Sequence, residues 1–365
     1  MDRLHIAFFG PTNSGKSTLV NALAGQQVSL VSPIPGTTTD PVRKTIELPG
    51  LGPCVLIDTA GLGDGSALGA ERERLTRAIL DETDIAVILE APEASPMSPK
   101  EGHSNVPDFG TLAAQAGIPV IRYTRGESVA SLLERVIAVA PKEEEKFLTG
   151  RLVQAGSSVV LVMPQDSEAP KGRLILPQVQ VLRELLDRGC VPHCCTPASL
   201  PAALESLSRR PDLVITDSQV FGMVNRALPA DCPLTSFSVL LAAAKGDIRT
   251  FVEGARAIDT LRPGSRVLIA EACTHVPDTE DIGRVKIPAL LRKKAGEIKV
   301  DISAGNDFPE DLSPYSLVIH CGACVANARL VRSRIRKALL AGVPITNYGI
   351  ALAALNGILA RIVLP

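Results

Sequence analysis

The chain has 365 residues, of which 45% are hydrophobic and 21% charged, and its formal net charge is −1. This length exceeds one ordinary hydrophobic core, so we expect two or three domains. The near-neutral charge and an aromatic content of only 3% argue against nucleic acid or an anionic membrane as the main partner. Proteins that bind either one present basic surfaces, and proteins that bind single-stranded nucleic acid also stack bases on aromatic side chains.

The N-terminal segment runs directly into an apolar strand, without the charged and then long apolar pattern of a secretion leader. No run of about 18 apolar residues predicts a membrane span. Eight cysteines in such a chain indicate free thiols and metal ligands rather than a disulfide framework. We therefore predict a cytoplasmic protein in a reducing environment.

Short apolar segments alternate with helix-like segments along the whole chain. In chain order, strands are predicted at 6–9, 55–57, 85–89, 118–121, 159–163, 212–216, 267–270 and 317–319. This alternation is typical of parallel sheets covered by helices, so the predicted fold class is α/β. A charged segment at 142–146 indicates a linker. We predict three domains, at 1–148, 149–232 and 233–365.

A phosphate-binding pattern follows the first predicted strand. Residues 10–17 read Gly-Pro-Thr-Asn-Ser-Gly-Lys-Ser, and a helix-like segment comes next. The glycines allow backbone N–H groups to surround phosphate oxygens at the helix N-terminus. Lys16 then reaches the β- and γ-phosphates, and the Ser17 hydroxyl binds Mg²⁺. A chance glycine-rich turn is the competing interpretation, but the flanking strand and helix favour a nucleotide site.

Two further segments complete the pattern of a GTPase. Residues 58–61 read Asp-Thr-Ala-Gly after an apolar strand, and residues 36–40 read Gly-Thr-Thr-Thr-Asp. With the P-loop they resemble the first motifs of the TrmE–Era branch of GTPases, which implies a P-loop GTPase fold. The resemblance implies catalytic roles for Lys16, Thr38 and Asp58, with Ser17 and Thr38 on Mg²⁺. It implies that GTP contacts Gly10, Asn13, Ser14, Gly15, Lys16, Ser17, Thr18, Asp58 and Gly61.

The same branch suggests how hydrolysis is controlled. Asn13 matches the P-loop asparagine that helps to bind K⁺ in potassium-activated members. Leu62 stands where Ras-like enzymes have a glutamine that orients the attacking water. We therefore expect intrinsic hydrolysis to be slow or to need another group, for which K⁺ is the candidate.

The segment that reads guanine in these GTPases is not recognisable. An Asn/Thr-Lys-x-Asp motif should follow the strand predicted at 118–121, but residues 122–128 read Arg-Tyr-Thr-Arg-Gly-Glu-Ser. We expect phosphate binding to survive and selectivity for guanine over adenine to be weakened or lost.

A group of cysteines and histidines lies far along the chain. Cys273 and His275 follow one predicted strand, and the segment from His320 to Cys324, with Cys321 in it, follows another. Loops after neighbouring parallel strands meet at one sheet edge, and the Cys-x-x-Cys spacing allows two thiolates to bind one metal or cluster. From spacing alone an iron–sulfur cluster, a structural zinc ion and unmetallated thiols all remain open.

The whole arrangement resembles one known family. Cys-x-His separated by 44 residues from His-Cys-x-x-Cys is similar to the signature of HydF, the [FeFe]-hydrogenase maturation GTPases. Further similar stretches lie at 169–178, 216–219, 233–238, 281–288 and 344–349. The resemblance implies a GTPase domain, a dimerisation domain and a cluster domain.

It also implies a [4Fe–4S] cluster on Cys273, Cys321 and Cys324, with an exchangeable fourth position for which His275 and His320 are the candidates. The implied role is that of a scaffold that delivers a diiron precursor to apo-[FeFe]-hydrogenase. The implied partners are the radical-SAM maturases HydE and HydG, and the implied assembly is a homodimer or tetramer.

Parts of the sequence are also compatible with two other functions. The alternative function is a TrmE/Era-like GTPase with a structural zinc domain, acting on RNA or ribosomes, and a third is a binding module without hydrolysis. His193 with Cys190, Cys194 and Cys195 lies outside the family signature and is interpreted as a set of incidental thiols. The basic run at 332–337 is interpreted as a solvated helix face.

Overall fold

The computed structural model describes residues 3–11, 14–25, 41–60, 67–90, 108–141, 147–165, 174–272, 281–305 and 307–365. The chain forms two compact units, Met1–Glu143 and Glu144–Pro365. Strands alternate with helices in both units, and nearly all strand pairs are parallel. The predicted α/β class with parallel sheets is confirmed.

The first unit contains a five-stranded sheet in the order β2-β3-β1-β4-β5. Its strands are β1 (Leu4–Phe9), β2 (Val42–Leu48), β3 (Gly52–Asp58), β4 (Ile85–Leu89) and β5 (Val120–Tyr123). Its helices are α1 (Lys16–Ala24), α2 (Ala67–Leu80), α3 (Phe109–Gln115) and α4 (Val129–Val139). Only β2 runs antiparallel, paired with β3, and this edge strand was not predicted.

Strand β1 is buried on both faces of this sheet. Ile6 and Phe8 pack into one hydrophobic cluster, while Ala7 and Phe9 pack into another. A central parallel strand therefore reads as a continuous apolar run rather than an alternation. The carboxyl end of β1 leads directly into the phosphate loop.

The second unit contains two four-stranded parallel sheets, in the orders β7-β6-β8-β9 and β11-β10-β12-β13. The first sheet consists of β6 (Ser158–Val162), β7 (Val191–Cys195), β8 (Leu213–Thr216) and β9 (Leu234–Ser236). The second consists of β10 (Arg266–Ala270), β11 (Lys299–Ser303), β12 (Leu317–His320) and β13 (Ile345–Asn347). Because β9 pairs with β8, the boundary predicted between residues 232 and 233 falls inside a sheet. The division into three domains stays a prediction, and the proposed linker at 142–146 lies outside the described residues.

The helices of the second unit are short. They are α5 (Leu176–Asp187), α6 (Leu200–Glu205), α7 (Phe221–Ala227), α8 (Phe237–Lys245), α9 (Ile248–Ala255), α10 (Ile287–Ala295), α11 (Ala328–Leu340) and α12 (Tyr348–Leu355). Across the described parts of the chain, no helix has both the length and the apolar character that a membrane crossing needs.

One hydrophobic core joins the two sheets of this unit. Val160 and Val214 of the first sheet belong to the same cluster of buried side chains as Val267 and Val318 of the second. Helix α9 packs so closely on β13 that a Cβ atom added at Gly254 would overlap the carbonyl oxygen of Ile345. The sheet that carries the cysteine loops therefore depends on a glycine in the covering helix.

Replacing Gly254 by Ala should force α9 away from β13 and lower the free energy of unfolding by about 1–3 kcal/mol, the usual cost of overpacking. A lower thermal midpoint followed by circular dichroism would check this. Gly222→Ala is the matched control, because a Cβ there meets its nearest atom, Oδ1 of Asn356, at an ordinary 3.4 Å. Equal midpoints for the two variants would contradict the close packing.

Candidate functional site

The loop after β1 has the backbone geometry of a phosphate cradle. A Cβ atom at Gly10 would lie 2.7 Å from the carbonyl oxygen of Leu89 and 3.0 Å from Oγ of Ser14. Gly15 precedes α1 in a left-handed conformation, with φ 95°, which side chains disfavour. The two glycines that sequence analysis singled out are therefore required by close approach and by backbone conformation, and helix α1 starts at Lys16 with its N-terminus at the loop.

Lys16 is buried inside this loop. Its Nζ atom donates to the carbonyl oxygens of Gly10 at 3.0 Å and Pro11 at 2.8 Å. Burial lowers the pKa of Lys16 to about 8, and the nearby Asp58 carboxylate offsets part of that effect. The ammonium is thus held at the centre of the loop. Burial disfavours its positive charge, and bound phosphate groups would favour that charge.

Ser17 and Asp58 form the second half of the nucleotide site. The Ser17 hydroxyl donates to Oδ2 of Asp58 at 2.6 Å. Asp58 is fully buried, and its Oδ1 atom has no hydrogen-bond partner among the residues that the structure describes. A buried, unpaired carboxylate oxygen next to a serine hydroxyl is the oxygen environment that Mg²⁺ prefers. These two residues fit the predicted magnesium site.

The other predicted nucleotide ligands divide into two groups. Ser14 is buried, its Oγ atom having no partner in the described parts of the chain, and Thr18 is exposed at the start of α1. The roles predicted for Asn13, Thr38 and Gly61 lie outside the described residues.

The loop after β5 contains a carboxylate, that of Glu127, which is hydrogen-bonded to side chains of α4. Strand β5 ends at Tyr123, two residues beyond its predicted end, so the loop comprises residues 124–128. Both carboxylate oxygens of Glu127 lie 2.6 Å from Nη2 of Arg135, and Oε1 also accepts from Ser131 at 2.9 Å. The Tyr123 hydroxyl donates to the Glu127 carbonyl at 2.9 Å. This arrangement holds the carboxylate against α4 rather than leaving it free for a base.

The two cysteine-bearing loops leave neighbouring parallel strands, as predicted. Ala270 at the end of β10 pairs with His320 at the end of β12. The Sγ atom of Cys321 accepts backbone N–H groups from Ala272 at 3.1 Å and Ala323 at 3.4 Å. Burial raises the pKa of the Cys321 thiol, and these two donors partly offset the rise. The loop thus supplies donors for a sulfur that bears negative charge.

His320 is fixed by contacts at both ring nitrogens. Nδ1 lies 2.8 Å from the carbonyl oxygen of Cys321, which makes it the donor, and Nε2 lies 3.2 Å from Nη1 of Arg334. Burial lowers the pKa of His320 to about 3, followed in effect by the Arg334 charge. Arg334 also donates to the carbonyl oxygens of Glu271 and Gly305. In this conformation neither nitrogen of His320 is free to bind a metal.

Cys324 lies near Cys321, and its thiol contributes to raising the pKa of the Cys321 thiol. Cys273 and His275, the other half of the predicted constellation, lie outside the described residues. Within the described ranges, no set of three His, Cys, Asp or Glu side chains is arranged to hold a metal ion. The thiols interpreted as incidental differ in exposure: Cys194 is exposed on β7, whereas Cys190 is buried.

Two buried cations near this loop were missed from the sequence. The run at 332–337 was interpreted as a solvated face, but Arg334 is only 1% exposed. Its spacing from the buried Val331 and Ala338 places it on the inner face of α11, and that helical period was the available signal. Lys245, the last residue of α8, is likewise buried and reaches the same loop. A lone lysine at a helix end gave no such signal.

Comparison with known families identifies the second unit. A hydrogen maturase F dimerization domain matches residues 148–246, and a hydrogen maturase F tetramerization domain matches residues 249–365. Together the two matches span more than half of the chain. The chain belongs to the hydrogen maturase F family. The resemblance to HydF is confirmed, and the two domain descriptions support a homodimer or tetramer.

A third family model, described as a 50S ribosome-binding GTPase, matches residues 5–112. The first unit of this hydrogen maturase F protein is therefore a P-loop GTPase domain, which supports binding of GTP with Mg²⁺ and hydrolysis. The match ends before the loop at 124–128 in which the base-reading motif was expected.

Several proteins of other families share part of the sequence. The chain is 41% identical over 142 residues to a tRNA modification GTPase MnmE from Methylobacterium sp., which covers 37% of this chain and 32% of the relative. It is 45% identical over 89 residues to MnmE from Xanthomonas euvesicatoria, covering 24% and 20%. The chain thus spans about a third or less of these relatives. Era from Aquifex aeolicus bound to GDP and AlF4⁻ is 16% identical, with a TM-score of 0.28, over 57% of this chain and 99% of that one.

Nucleotide affinity of this maturase should fall as the pH rises above about 8. The free protein loses the Lys16 proton near pH 8, whereas bound phosphates favour the charged form and keep the proton on to a higher pH. Binding then requires proton uptake, which weakens affinity by up to about tenfold per pH unit. Titration with a fluorescent GTP analogue between pH 7 and 9 would check this. Lys16→Met is the control and should bind weakly at every pH; a flat profile for the unaltered protein would contradict the shifted pKa.

GTP and ATP should compete about equally for the site, because the Glu127 carboxylate is held by Arg135 and Ser131. A carboxylate free to read a base edge contributes about 1–3 kcal/mol, or at least roughly tenfold in affinity. Displacement of a fluorescent nucleotide by either triphosphate measures the ratio. Glu127→Gln should leave that ratio unchanged. A strong preference for GTP that this substitution abolishes would show that Glu127 reads guanine.

Proposed function

We propose that the protein is a scaffold for assembly of the [FeFe]-hydrogenase active site. In this role it binds a [4Fe–4S] cluster and a nucleoside triphosphate, and it carries a diiron precursor to apo-hydrogenase. Membership of the hydrogen maturase F family supports the general role. The observation that carries the cluster assignment is the pair of backbone N–H groups that point at Sγ of Cys321.

The proposed cluster ligands are Cys273, Cys321 and Cys324. Cys321 and Cys324 follow β12 directly, and Cys273 comes three residues after β10 in the sequence. Since β10 and β12 are paired in parallel, their following loops start at the same edge of the sheet. Three thiolates leave one iron without a cysteine, and that iron supplies an exchangeable position at which a second metal unit can be bridged and released. Because both nitrogens of His320 are engaged, we assign the fourth position to His275 or an external ligand.

Two arginines, Arg334 and Arg284, hold the strand ends next to the proposed cluster site. The Arg334 guanidinium contacts His320 at the start of one cysteine loop and the Glu271 carbonyl at the start of the other. It also donates to the carbonyl oxygen of Gly305, which follows β11. The Glu271 carboxylate is in turn held by Arg284 at 2.7 Å. This network keeps the ends of β10 and β12 rigid while a labile ligand exchanges.

The nucleotide site serves regulation in this proposal. Lys16 and Ser17 bind phosphate and Mg²⁺, with Thr38 closing the metal site when the triphosphate is present. Hydrolysis is slow, and Asn13 makes it depend on K⁺. The bound nucleotide controls contact with the radical-SAM partners HydE and HydG and with apo-hydrogenase, and the protein acts in the cytoplasm.

Anaerobic reconstitution with iron and sulfide, followed by EPR of the reduced protein, tests the cluster assignment. The unaltered chain should give a [4Fe–4S] signal that is lost in Cys321→Ala. Cys194→Ala is the matched control, because that thiol is exposed on β7 and should be dispensable. One tightly bound zinc ion without iron uptake would overturn the proposal and favour the GTPase with a structural zinc domain.

A further inference from the structure

The loop that connects β12 to α11 adopts an unusual backbone conformation. Ala323, between Cys321 and Cys324, has φ 51°, and it is the one non-glycine residue with positive φ in the described ranges. A left-handed conformation at a residue with a Cβ costs of order 1 kcal/mol, so surrounding contacts must hold it. The loop therefore needs an anchor that its own sequence does not supply.

Lys245 provides contacts of that kind. It ends α8 on the other side of the loop, and its side chain is buried, with 6% exposure. Its Nζ atom lies 2.9 Å from the carbonyl oxygen of Ala323, 2.7 Å from that of Ala326 and 3.4 Å from that of Cys324. One ammonium thus contacts three carbonyl groups in four consecutive residues, matching its three N–H donors.

These contacts also orient the other side of each peptide group. In a trans peptide the N–H points away from the C=O, so the amides of Cys324, Val325 and Asn327 face away from Lys245. The Ala323 amide already donates to Sγ of Cys321. The ammonium therefore fixes the orientation of three peptide groups in the loop that contains Cys321 and Cys324.

We propose that Lys245 is a positioning residue for the cluster, and the proposal rests on the cluster assignment made above. Its contacts pre-order Cys321 and Cys324 before metal binds, and its buried positive charge favours the more negative, reduced state of an anionic cluster. Burying an ammonium is costly, and the three carbonyl dipoles together with a nearby anion offset that cost. The lysine lies at 245, inside the match to the dimerization domain, whereas the loop lies inside the match to the tetramerization domain.

Hydrogen exchange of the metal-free protein tests the ordering of the loop without relying on a cluster. Amides of residues 321–327 should exchange faster in Lys245→Met, and Lys245→Arg should restore most of the protection because it keeps charge and donors. Lys294→Met is the matched control, since that ammonium pairs with Asp259 at 2.5 Å and does not contact the loop. Unchanged exchange in Lys245→Met would overturn the proposal even if the unaltered protein binds iron.

Reconstituted protein tests whether Lys245 also supports the bound cluster and favours its reduced state. Lys245→Met should bind its iron roughly ten- to a hundredfold more weakly in competition with a chelator, the usual cost of removing a residue that supports a metal ligand. Its midpoint potential should also fall below that of the unaltered protein. Lys245→Gln, which keeps N–H donors without charge, should retain the loop's protection while its potential falls; it also replaces Lys245→Met if that variant does not fold. A potential that is equal in all variants would exclude the electrostatic role, and absence of iron uptake by the unaltered protein would contradict the cluster assignment instead.

Discussion

Parallel pairing of strands is the constraint on which both sites depend. Neighbouring parallel strands end at the same edge of a sheet, so segments far apart in sequence leave it side by side. In the first unit this brings Asp58 at the end of β3 to the loop after β1. In the second it places the ends of β10 and β12 next to each other, with Ala270 opposite His320. The chemistry of each site follows from residues that the strand ends present together.

Both sites also bury a cation in their loops. Lys16 is held by two carbonyl oxygens of the phosphate loop, and Lys245 by three carbonyl oxygens of the cysteine loop. A buried ammonium is costly unless dipoles and opposite charge surround it. Carbonyl groups contact each ammonium directly, and a bound anion would add to that stabilisation. The two sites therefore share one electrostatic design, although one is suited to phosphate and the other to thiolates.

The sequence was sufficient for the features that depend on local pattern. An apolar run predicted β4 with its observed bounds, and glycine spacing predicted the phosphate loop. Strand β2 was missed because its exposure alternates at a sheet edge, so it lacks the apolar run of a central strand. Ile118 was assigned to a strand, although its amide closes the turn after α3 by donating to Ala113. Such choices depend on tertiary contacts.

Long-range polar contacts were also beyond the sequence. The engagement of both His320 nitrogens and the contacts of Lys245 with carbonyl groups 78 to 81 residues further along the chain can be known only from the folded chain. The spacing of the cysteines marked where a metal site should be. It gave no information about which histidine is free, because that depends on what lies behind the ring.

The shared core of the second unit restricts how its parts can evolve. Side chains from both four-stranded sheets belong to one buried cluster, although two separate family domains match the two halves. A volume change on one sheet must be accommodated by the other, since close-packed interiors transmit strain. The two halves are thus expected to be inherited and to unfold together, and exchange of one half between distant relatives should fail unless the facing side chains are exchanged with it.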